Sequence, residues 1–369
     1  MRPGWAARAA LPAFPWDRLA PYAEKARAHP GGVVDLSIGT PVDPTPQVVQ
    51  QALARAADAP GYPLTIGMPA VRAALVDWVG RRLGATVSER QVVPTIGSKE
   101  TVALLPSLLG LAPGTKVLFP RLAYPTYDVG ARLAGCVPVP VDDVTAQDPA
   151  GVGLVWINSP SNPTGAVLPP DELRRIVAWG REHGVLVASD ECYLELGWDA
   201  EPVSVLHPSI CGDSTDGVLA LHSLSKRSNL AGYRAGFTVG DADAVAVIIE
   251  ARKHIGLLVP APVQSALVAA LGDQQHVDEQ KARYAARRAR LKPAVEAAGF
   301  TIDHSQAGLY LWATRGEPCW DTVAALAAAG ILVGPGEFYG EDGHSHVRIA
   351  LTATDERIEE AVGRLAGLA

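Results

Sequence analysis

The sequence predicts an α/β protein with a mostly parallel sheet in an α/β/α sandwich and a smaller α+β domain. Short β-branched apolar runs alternate with helical patterns between about residues 92 and 240. The chain has 369 residues and is 48% hydrophobic, which permits a large core and favours two domains. After about residue 275 the pattern changes to one long basic helix followed by separate strands.

The apolar runs of the first region have the length and composition of buried strands. We expect strands at residues 92–96, 116–119, 153–158, 185–189, 218–222 and 235–239. Between two of them, apolar residues recur at helical spacing and predict a helix from Asp171 to Glu182. Ligands of such sheets bind beyond the carboxyl ends of the strands, so the polar residues that follow these runs are candidate site residues.

The second region predicts a long helix in residues 281–299, strands around 308–313 and 346–352, and a last helix from Asp355. We therefore divide the chain into three parts. Residues 1–40 are expected to form an N-terminal arm and part of the small domain. Residues 41–270 form the large domain, and residues 271–369 form the small C-terminal domain.

The composition excludes several classes of partner. With 32 Lys and Arg against 39 Asp and Glu, the net charge is −7, and no basic block could follow a nucleic acid backbone. The four cysteines are scattered without metal-binding spacing, so we expect neither a metal site nor disulfides, and a reducing cytoplasm as the location. The N-terminal stretch lacks an export signal, and no apolar run is long enough to span a membrane. A small-molecule substrate fits these observations.

The most informative residue is Lys226, which follows the hydroxyl residues Ser223 and Ser225 and precedes Arg234 by eight positions. A lysine that forms a Schiff base must be partly desolvated, so that its neutral amine is available. A phosphate on the bound group would need hydroxyl and guanidinium partners. An ordinary loop lysine is the alternative interpretation.

Two further segments could serve a phosphorylated, planar cofactor. Ser98 and Lys99 follow the strand at 92–96 and open a helix, where free N–H groups suit a phosphate. The alternative is that Ser98 only caps the helix. The ring of Tyr124, directly before Pro125, could cover a planar cofactor, although an exposed loop tyrosine would look the same in the sequence.

Two more segments supply polar groups at the ends of expected strands. Asn162 lies in the rigid loop NSPSNPTG and could donate a hydrogen bond to an aromatic oxygen, although ordinary turn chemistry also explains the string. Asp190 ends an apolar strand, and Tyr193 follows three residues later. A buried carboxylate needs a cationic partner, either a pyridinium nitrogen or a structural arginine.

Over essentially its whole length, the chain resembles the class I/II, fold-type I pyridoxal-phosphate aminotransferases. The strings FPWDRL, DLSIGTPVDPTP, LAYPTYDVGARLAG, NSPSNPTGAVL, SDECYLELGWDAEPVSVLHPS and LHSLSKRSNLAGYRAGF are similar to those of the actinobacterial N-succinyldiaminopimelate aminotransferases. The resemblance implies pyridoxal 5′-phosphate as the cofactor. It also implies transfer of an amino group from N-succinyl-LL-diaminopimelate to a 2-oxo acid such as 2-oxoglutarate.

The resemblance also implies a role for each candidate residue. Lys226 would hold the cofactor as a Schiff base, and Asp190 would pair with its pyridinium nitrogen. Asn162 and Tyr193 would bind the phenolic oxygen, and Tyr124 would stack on the ring. The phosphate would be held by the backbone amides of Ser98 and Lys99 and the Ser98 hydroxyl, together with Ser223 and Arg234.

The remaining implied roles concern the substrate and a second subunit. Arg348, which alone would be taken for a surface charge, would bind the substrate α-carboxylate opposite the backbone of Gly39. Tyr62 would reach the phosphate of the neighbouring subunit, which implies a homodimer. The Lys99 side chain and Arg227 are candidates for the distal carboxylates. Rival functions are transamination of another long or aromatic amino acid, a β-lyase reaction, or a non-catalytic regulator.

Overall fold

The fold is taken from a computed structural model, which describes residues 11–368. The first ten residues of the expected N-terminal arm, and Ala369, lie outside the described residues. Within residues 11–368, no helix has the length and apolar character needed to cross a membrane.

The larger of the two sheets has seven strands in the order β2-β8-β7-β6-β5-β3-β4. The strands are β2 Val92–Ile96, β3 Lys116–Pro120, β4 Val137–Val141, β5 Val152–Asn158, β6 Leu186–Asp190, β7 Val218–Ser223 and β8 Ala235–Gly240. Six of them, all except β8, run in the same direction, and β8 is antiparallel to both of its neighbours, β2 and β7. The prediction of a largely parallel sheet is confirmed.

The second sheet has five strands in the order β1-β11-β12-β10-β9. They are β1 Val34–Leu36, β9 Thr301–Asp303, β10 Tyr310–Thr314, β11 Ile331–Pro335 and β12 His346–Ala350. All pairs are antiparallel except β1 with β11. The N-terminal strand β1 thus joins a sheet whose other strands come from residues 301–350.

Helices cover both sheets. In chain order they are α1 Ala20–Arg27, α2 Gln47–Arg55, α3 Pro69–Leu83, α4 Gly97–Leu108, α5 Thr126–Leu133, α6 Pro170–Glu182, α7 Pro208–Cys211, α8 Leu224–Arg227, α9 Ala242–Ile255, α10 Ala261–Gly272, α11 Gln275–Ala297, α12 Cys319–Ala328 and α13 Asp355–Leu365. Helix α6 begins one residue before the predicted start, and α13 begins at the predicted Asp355. Helix α11 is longer than expected at its N-terminal end.

One strand of the large sheet is absent from the sequence-based prediction. Strand β4 has the sequence VPVPV, in which Pro138 and Pro140 lack the N–H group that a central strand must donate. It lies at the edge of the sheet and pairs only with β3, so one side of its backbone needs no partner. Edge placement is a tertiary property, and the sequence pattern alone argues against a strand here.

The core of the large sheet positions the site. Strands β5, β6 and β7 are almost wholly buried, as expected for parallel strands covered on both faces. Their carboxyl ends carry Asn158, Asp190 and Ser223, which therefore lie side by side at one edge of the sheet.

Candidate active site

A cavity of about 380 Å³ opens at the carboxyl ends of β5, β6 and β7. Eleven of the twelve predicted site residues line it, namely Gly39, Ser98, Lys99, Tyr124, Asn162, Asp190, Tyr193, Ser223, Lys226, Arg234 and Arg348. The twelfth, Tyr62, does not line the cavity and is 97% exposed. The structure thus gathers residues from both sheets and from the segment after β1.

Lys226 lies on the short helix α8, which starts directly after β7. The Ser223 hydroxyl caps this helix by accepting a hydrogen bond from the Ser225 N–H at 3.2 Å. The Lys226 Nζ donates to the Gly39 carbonyl oxygen at the cavity wall. Burial lowers the pKa of Lys226, because a desolvated ammonium is disfavoured. The lysine is therefore biased toward the neutral amine that nucleophilic attack requires.

Asp190 ends β6 and is only 6% exposed. Its carboxylate accepts hydrogen bonds from the Tyr127 hydroxyl at 3.1 Å and from the Cys192 N–H at 3.2 Å. Within residues 11–368 no lysine, arginine or histidine forms an ion pair with it, so a structural arginine is not its partner. Burial raises the pKa of Asp190. A buried carboxyl group beside a cavity and without a cation suits a cationic ligand atom.

The junction of β2 and α4 forms an anion-binding corner. Helix α4 begins at Gly97, which has a φ of +69°, and Ser98 and Lys99 in its first turn line the cavity. The first N–H groups of a helix and the positive end of its dipole favour an anion at this end. Arg234 reaches the same corner and donates to the Ile96 and Ala231 carbonyl oxygens at 3.4 and 2.8 Å. The Ser98 hydroxyl lies 2.9 Å from the Cys192 Sγ. This arrangement can hold a phosphate.

Arg348 lies on β12 and is 3% exposed, so the interpretation as a surface charge is wrong. Its guanidinium donates to the Asn162 Oδ1 at 2.8 Å and to the Ser37 carbonyl oxygen at 2.7 Å. The Nε atom has no hydrogen-bond partner among the described residues, and no carboxylate there forms an ion pair with the group. A buried guanidinium that lacks a carboxylate and faces a cavity is suited to an anionic substrate group.

Arg227 does not fit the expectation that it reads a distal carboxylate. It is buried, does not line the cavity, and forms an ion pair with Glu195. Successive residues of a helix point in different directions, so Lys226 and Arg227 cannot face the same space. Lys99 does line the cavity, and its Nζ lies 5.7 Å from the centre of the Tyr124 ring.

The contacts of Asn162 leave its predicted role as a hydrogen-bond donor open, and that role stays a prediction. Its amide oxygen accepts from Arg348, which leaves the amide nitrogen as the group that can donate to a ligand oxygen. The ring of Tyr124 is half-buried at the cavity and stands perpendicular to the Tyr127 ring, with centroids 6.1 Å apart. The assignment of Tyr124 as a stacking residue stays a prediction.

The site residues that were missed in the sequence include four that contact predicted ones. Tyr127 bonds Asp190, and Cys192 contacts Ser98, although both lie inside motifs already recognised as functional. Tyr310 and Tyr339 place their ring centres 3.9 and 4.8 Å from the Arg348 guanidinium carbon. Tyr127 could have been found from its position one helical turn after Tyr124. Tyr310 and Tyr339 reach Arg348 only through the folding of the small sheet.

Comparisons with known proteins agree with this geometry. The family model of aminotransferase class I and II matches residues 31–365. A probable aminotransferase of Mycobacterium tuberculosis is 60% identical over 97% of this chain and 86% of its own length. The 4-dedimethylamino-4-oxo-anhydrotetracycline transaminase OxyQ of Streptomyces rimosus is 58% identical, over 96% of this chain and 99% of its own.

Among solved structures, a probable N-succinyldiaminopimelate aminotransferase from Thermus thermophilus aligns with a TM-score of 0.87 and 28% identity, over 96% of this chain and 100% of its own. This family uses pyridoxal 5′-phosphate. The cavity fits that group, because it offers a desolvated lysine amine, a buried carboxyl group without a cation and an anion-binding corner. The chain therefore belongs to the class I and II aminotransferases.

Proposed function

We propose that this aminotransferase moves the amino group of N-succinyl-LL-2,6-diaminopimelate to 2-oxoglutarate, in the synthesis of diaminopimelate and lysine. The observation that carries the proposal is the pair of cations left free for substrate, Arg348 deep in the cavity and Lys99 at its wall. Such a pair suits an amino acid with a further carboxylate at a distance. The similarity to the Thermus thermophilus enzyme supports the same choice.

Arg348 fixes the substrate. Its planar guanidinium can bind the α-carboxylate through two parallel hydrogen bonds, which set both the position and the orientation of Cα. The Asn162 amide oxygen and the Ser37 carbonyl oxygen hold the guanidinium in place before the substrate arrives. Because the Arg348 guanidinium is already desolvated in the free protein, substrate binding does not include the free-energy cost of removing water from it.

Lys226 moves the protons. Once its nitrogen is free, the neutral amine could take the proton from the substrate Cα and deliver it to the C4′ carbon of the cofactor, so that a single general base would serve both transfers. The nearby Gly39 carbonyl oxygen is positioned to hold the ammonium form between the two transfers. Burial keeps the pKa of Lys226 below its ordinary value, which favours the amine as the acceptor.

Asp190 would keep the ring nitrogen of the cofactor protonated. Pyridoxal phosphate supplies an aldehyde that condenses with amines and a pyridinium ring that accepts the electron pair left at Cα. Asp190 can accept a hydrogen bond from the ring N–H only while its carboxylate is ionised. The Tyr127 hydroxyl and the Cys192 N–H favour that ionised form, because both donate hydrogen bonds to the carboxylate. Tyr193 and Asn162 would donate to the phenolic oxygen, and Tyr124 would cover the ring.

Several features of the assembly are part of the proposal. The backbone amides of Ser98 and Lys99 and the Ser98 hydroxyl, together with Ser223 and Arg234, would hold the phosphate at the start of α4 and α8, which leaves the Lys99 side chain for the substrate. Tyr62, which is 97% exposed, would complete the phosphate site of a second subunit in a homodimer. The thiols of Cys136, Cys192, Cys211 and Cys319 are free, which supports a reducing, cytoplasmic location. The expected division into domains belongs to the proposal as well.

A second candidate is transfer of an amino group to a cyclic ketone. The similarity to OxyQ favours it, because that relative is named for a keto-anhydrotetracycline. The mouth of the cavity carries Phe14, Trp16 and Ile38, and Phe14 is 59% exposed. An apolar rim of this kind suits a large, flat acceptor.

A substrate screen distinguishes the candidates. With 2-oxoglutarate as the acceptor, N-succinyl-LL-diaminopimelate should be consumed with the highest kcat/KM among donors that include ornithine, aspartate and aromatic amino acids. A Lys99→Met variant should lose most of that preference, because the distal carboxylate loses its cation, while its rate with alanine should change little. Higher kcat/KM with aromatic donors, or rapid amination of a polycyclic ketone, would reject the diaminopimelate assignment. Release of ammonia and pyruvate from cystathionine would indicate the β-lyase.

Lys226→Ala and Lys226→Arg test the base. Both variants should lose transamination by about a thousandfold or more, since neither side chain can serve as a neutral amine. Neither should retain a pyridoxyl group after borohydride treatment, whereas the wild type should carry it on Lys226, as mass spectrometry of the digested protein can determine. Turnover at the wild-type rate in either variant would contradict the assignment. If the wild type turned over no amino donor, the non-catalytic regulator would be the function that remains.

A further inference from the structure

Tyr310 joins two parts of the site that the proposed mechanism treats separately. It begins β10 and is 4% exposed, and its hydroxyl lies 3.0 Å from the hydroxyl of Tyr193. The face of its ring lies against the guanidinium of Arg348, with 3.9 Å between the ring centre and the guanidinium carbon. Tyr310 also lines the cavity beside Lys226. One side chain thus contacts the proposed carboxylate-binding arginine and the proposed partner of the phenolic oxygen.

The two tyrosine hydroxyls must share one hydrogen bond, and the surrounding charges decide which of them donates. The groups that face Tyr310 are Lys226 on α8, Cys192 and Tyr193 after β6, Tyr284 on α11, Tyr339 after β11 and Arg348 on β12. Burial opposes ionisation of Tyr310, yet the positive charges of Arg348 and Lys226 lower its pKa below the ordinary value. Burial raises the pKa of Tyr193. The Arg348 guanidinium, 3.9 Å from the centre of the Tyr310 ring, favours negative charge on the Tyr310 oxygen and so makes its hydroxyl the better donor. On this geometry we assign Tyr310 as the donor and the Tyr193 oxygen as the acceptor of their 3.0 Å hydrogen bond.

This direction leaves the hydroxyl proton of Tyr193 free. A hydroxyl has one proton, and in the opposite arrangement Tyr193 would spend it on Tyr310. Because hydrogen bonds in a chain polarise one another, a hydroxyl that accepts from Tyr310 is also a stronger donor. Tyr193 lines the cavity, so its free proton can be directed at a ligand there.

We propose that Tyr310 is a positioning residue: its hydroxyl directs the proton of Tyr193 toward the phenolic oxygen of the cofactor, while its ring holds Arg348 for the substrate carboxylate. The inference rests on the proposed roles of Tyr193 and Arg348 and adds a residue that couples them. The ring and the hydroxyl have separate tasks, which separate substitutions can test.

Tyr339 is the matched control, because it presents a second tyrosine ring to the same guanidinium. Its ring centre lies 4.8 Å from the Arg348 guanidinium carbon, and it is 3% exposed. Its hydroxyl, however, has no hydrogen-bond partner among the described residues and does not reach Tyr193. Tyr310→Phe and Tyr339→Phe therefore remove the same atom from two rings beside Arg348, and only the first breaks the chain of hydroxyls.

The experiment is a pH titration of the cofactor-loaded protein, in which the absorbance reports the protonation of the Lys226 nitrogen. In Tyr310→Phe, Tyr193 becomes a weaker donor, the phenolic oxygen keeps more negative charge, and the neighbouring proton is held more tightly. The midpoint should rise by about half a pH unit, as loss of part of one neutral hydrogen bond implies. The midpoint of Tyr339→Phe should stay at the wild-type value. An unchanged midpoint in Tyr310→Phe, or an equal shift in both variants, would overturn the proposal.

Two further measurements separate the possible failures. Tyr193→Phe and the double variant Tyr193→Phe/Tyr310→Phe should share one midpoint, because Tyr310 acts only through Tyr193; a further shift in the double variant would contradict this. Tyr310→Phe should keep the KM of the donor within about twofold, whereas Tyr310→Leu, which lacks the ring, should raise it by about tenfold, as loss of a buried cation–π contact implies. A wild type without any pH-dependent band would refute the proposed function itself, and a normal wild type with a normal Tyr310→Phe would refute only the role of Tyr310.

Discussion

At the scale of single residues, the Asp190 carboxylate receives its hydrogen bonds from uncharged neighbours. The Tyr127 hydroxyl and the Cys192 N–H donate to its carboxylate, and burial raises its pKa in the absence of a cation. A bound pyridinium would reverse that direction, because an opposite charge at hydrogen-bond distance favours the ionised carboxylate. Binding of the cofactor and ionisation of Asp190 should therefore support each other.

We expect Asp190→Asn to retain the cofactor but to lower kcat by about a hundredfold to a thousandfold, because a neutral amide cannot stabilise the ring proton. Tyr127→Phe is the matched control, since it removes one neutral donor and keeps the carboxylate, and it should lower kcat by only about tenfold. Single-turnover measurement of Cα proton removal with a deuterated donor tests both. Equal losses in the two variants would show that the charge of Asp190 is not what matters.

Glu191, the next residue, directly follows β6, is buried, and gives a prediction about stability. Burial raises the pKa of Glu191 to about 7 and lowers the pKa of His222 to about 3, and the two groups lie 3.5 Å apart. The folded state therefore keeps a proton on Glu191 between about pH 4.5 and 7, where the unfolded chain has lost it. Stability from this group is present below pH 4.5 and is lost as the pH rises through 7.

The Gln side chain of Glu191→Gln cannot ionise. The free energy of unfolding of the variant, relative to that of the wild type, should therefore rise by about 2 kcal/mol between pH 5.5 and 8, at about 1.4 kcal/mol per pH unit up to pH 7. Urea unfolding at several pH values measures the difference. Parallel pH profiles would contradict a proton on Glu191 in the folded state.

At the scale of elements, helix α4 starts at Gly97, where only a residue without a side chain fits. Gly97 has a φ of +69°, and a Cβ atom there would collide with the Arg234 guanidinium. Gly110, just beyond the other end of the same helix, has a φ of +67° but nothing within 4 Å of a Cβ position. The two glycines share the backbone requirement and differ in the contact.

Gly97→Ala and Gly110→Ala should both lower the free energy of unfolding by about 1 kcal/mol, as alanine at positive φ does. Only Gly97→Ala should also weaken binding of pyridoxal phosphate, by about tenfold or more, because Arg234 is displaced from the phosphate corner. Equilibrium dialysis of the cofactor with each variant separates the two effects. Equal cofactor affinity in the two variants would contradict the assignment of that corner.

Helix α8 shows how an element of four residues can hold a catalytic lysine. The Arg227 side chain forms a buried ion pair with Glu195, and Ser228 bonds the His276 Nε2 at 2.8 Å. These contacts fix the segment on the side opposite the cavity. Lys226 then presents its amine to the cavity from a backbone that is held in place.

At the scale of the whole molecule, the carboxylate site is shared between the two sheets. Arg348 belongs to the small sheet, and its partner Asn162 lies in the loop after β5 of the large sheet. Ser37, the other partner, follows β1. The Arg348 guanidinium therefore joins three separate regions of the chain, and a substrate bound to it should stabilise their packing.

The exposed Tyr62 gives a prediction about assembly. If it completes the site of a second subunit, Lys226→Ala and Tyr62→Ala homodimers should each be impaired, and mixing them through partial denaturation should restore up to about a quarter of the wild-type activity. The mixed dimer contains one site with an intact Lys226 and the partner's intact Tyr62. If Tyr62 acted within its own chain, or if the protein were a monomer, no activity would return. Sedimentation of the wild type provides the control for the dimer.

The sequence pattern alone determined the α/β class, six of the seven strands of the large sheet and most of the polar residues that line the cavity, whereas Gly39 and Arg348 were predicted only through the family resemblance. These features are local: a buried parallel strand is a continuous apolar run, and the polar residue after it lies at the carboxyl edge of the sheet. Asp190 and Ser223 could be read in this way because each directly follows such a run.

Only the tertiary structure decided what those residues contact. Three features depend on partners that are distant in sequence. They are the edge strand β4, the ion pair of Arg227 with Glu195 and the pairing of β1 with the small sheet. The hydroxyl pair of Tyr193 and Tyr310 spans 117 residues, and no local pattern encodes that contact. Periodicity reports which face of an element is buried, whereas the identity of the group across the interface is set by how the elements pack.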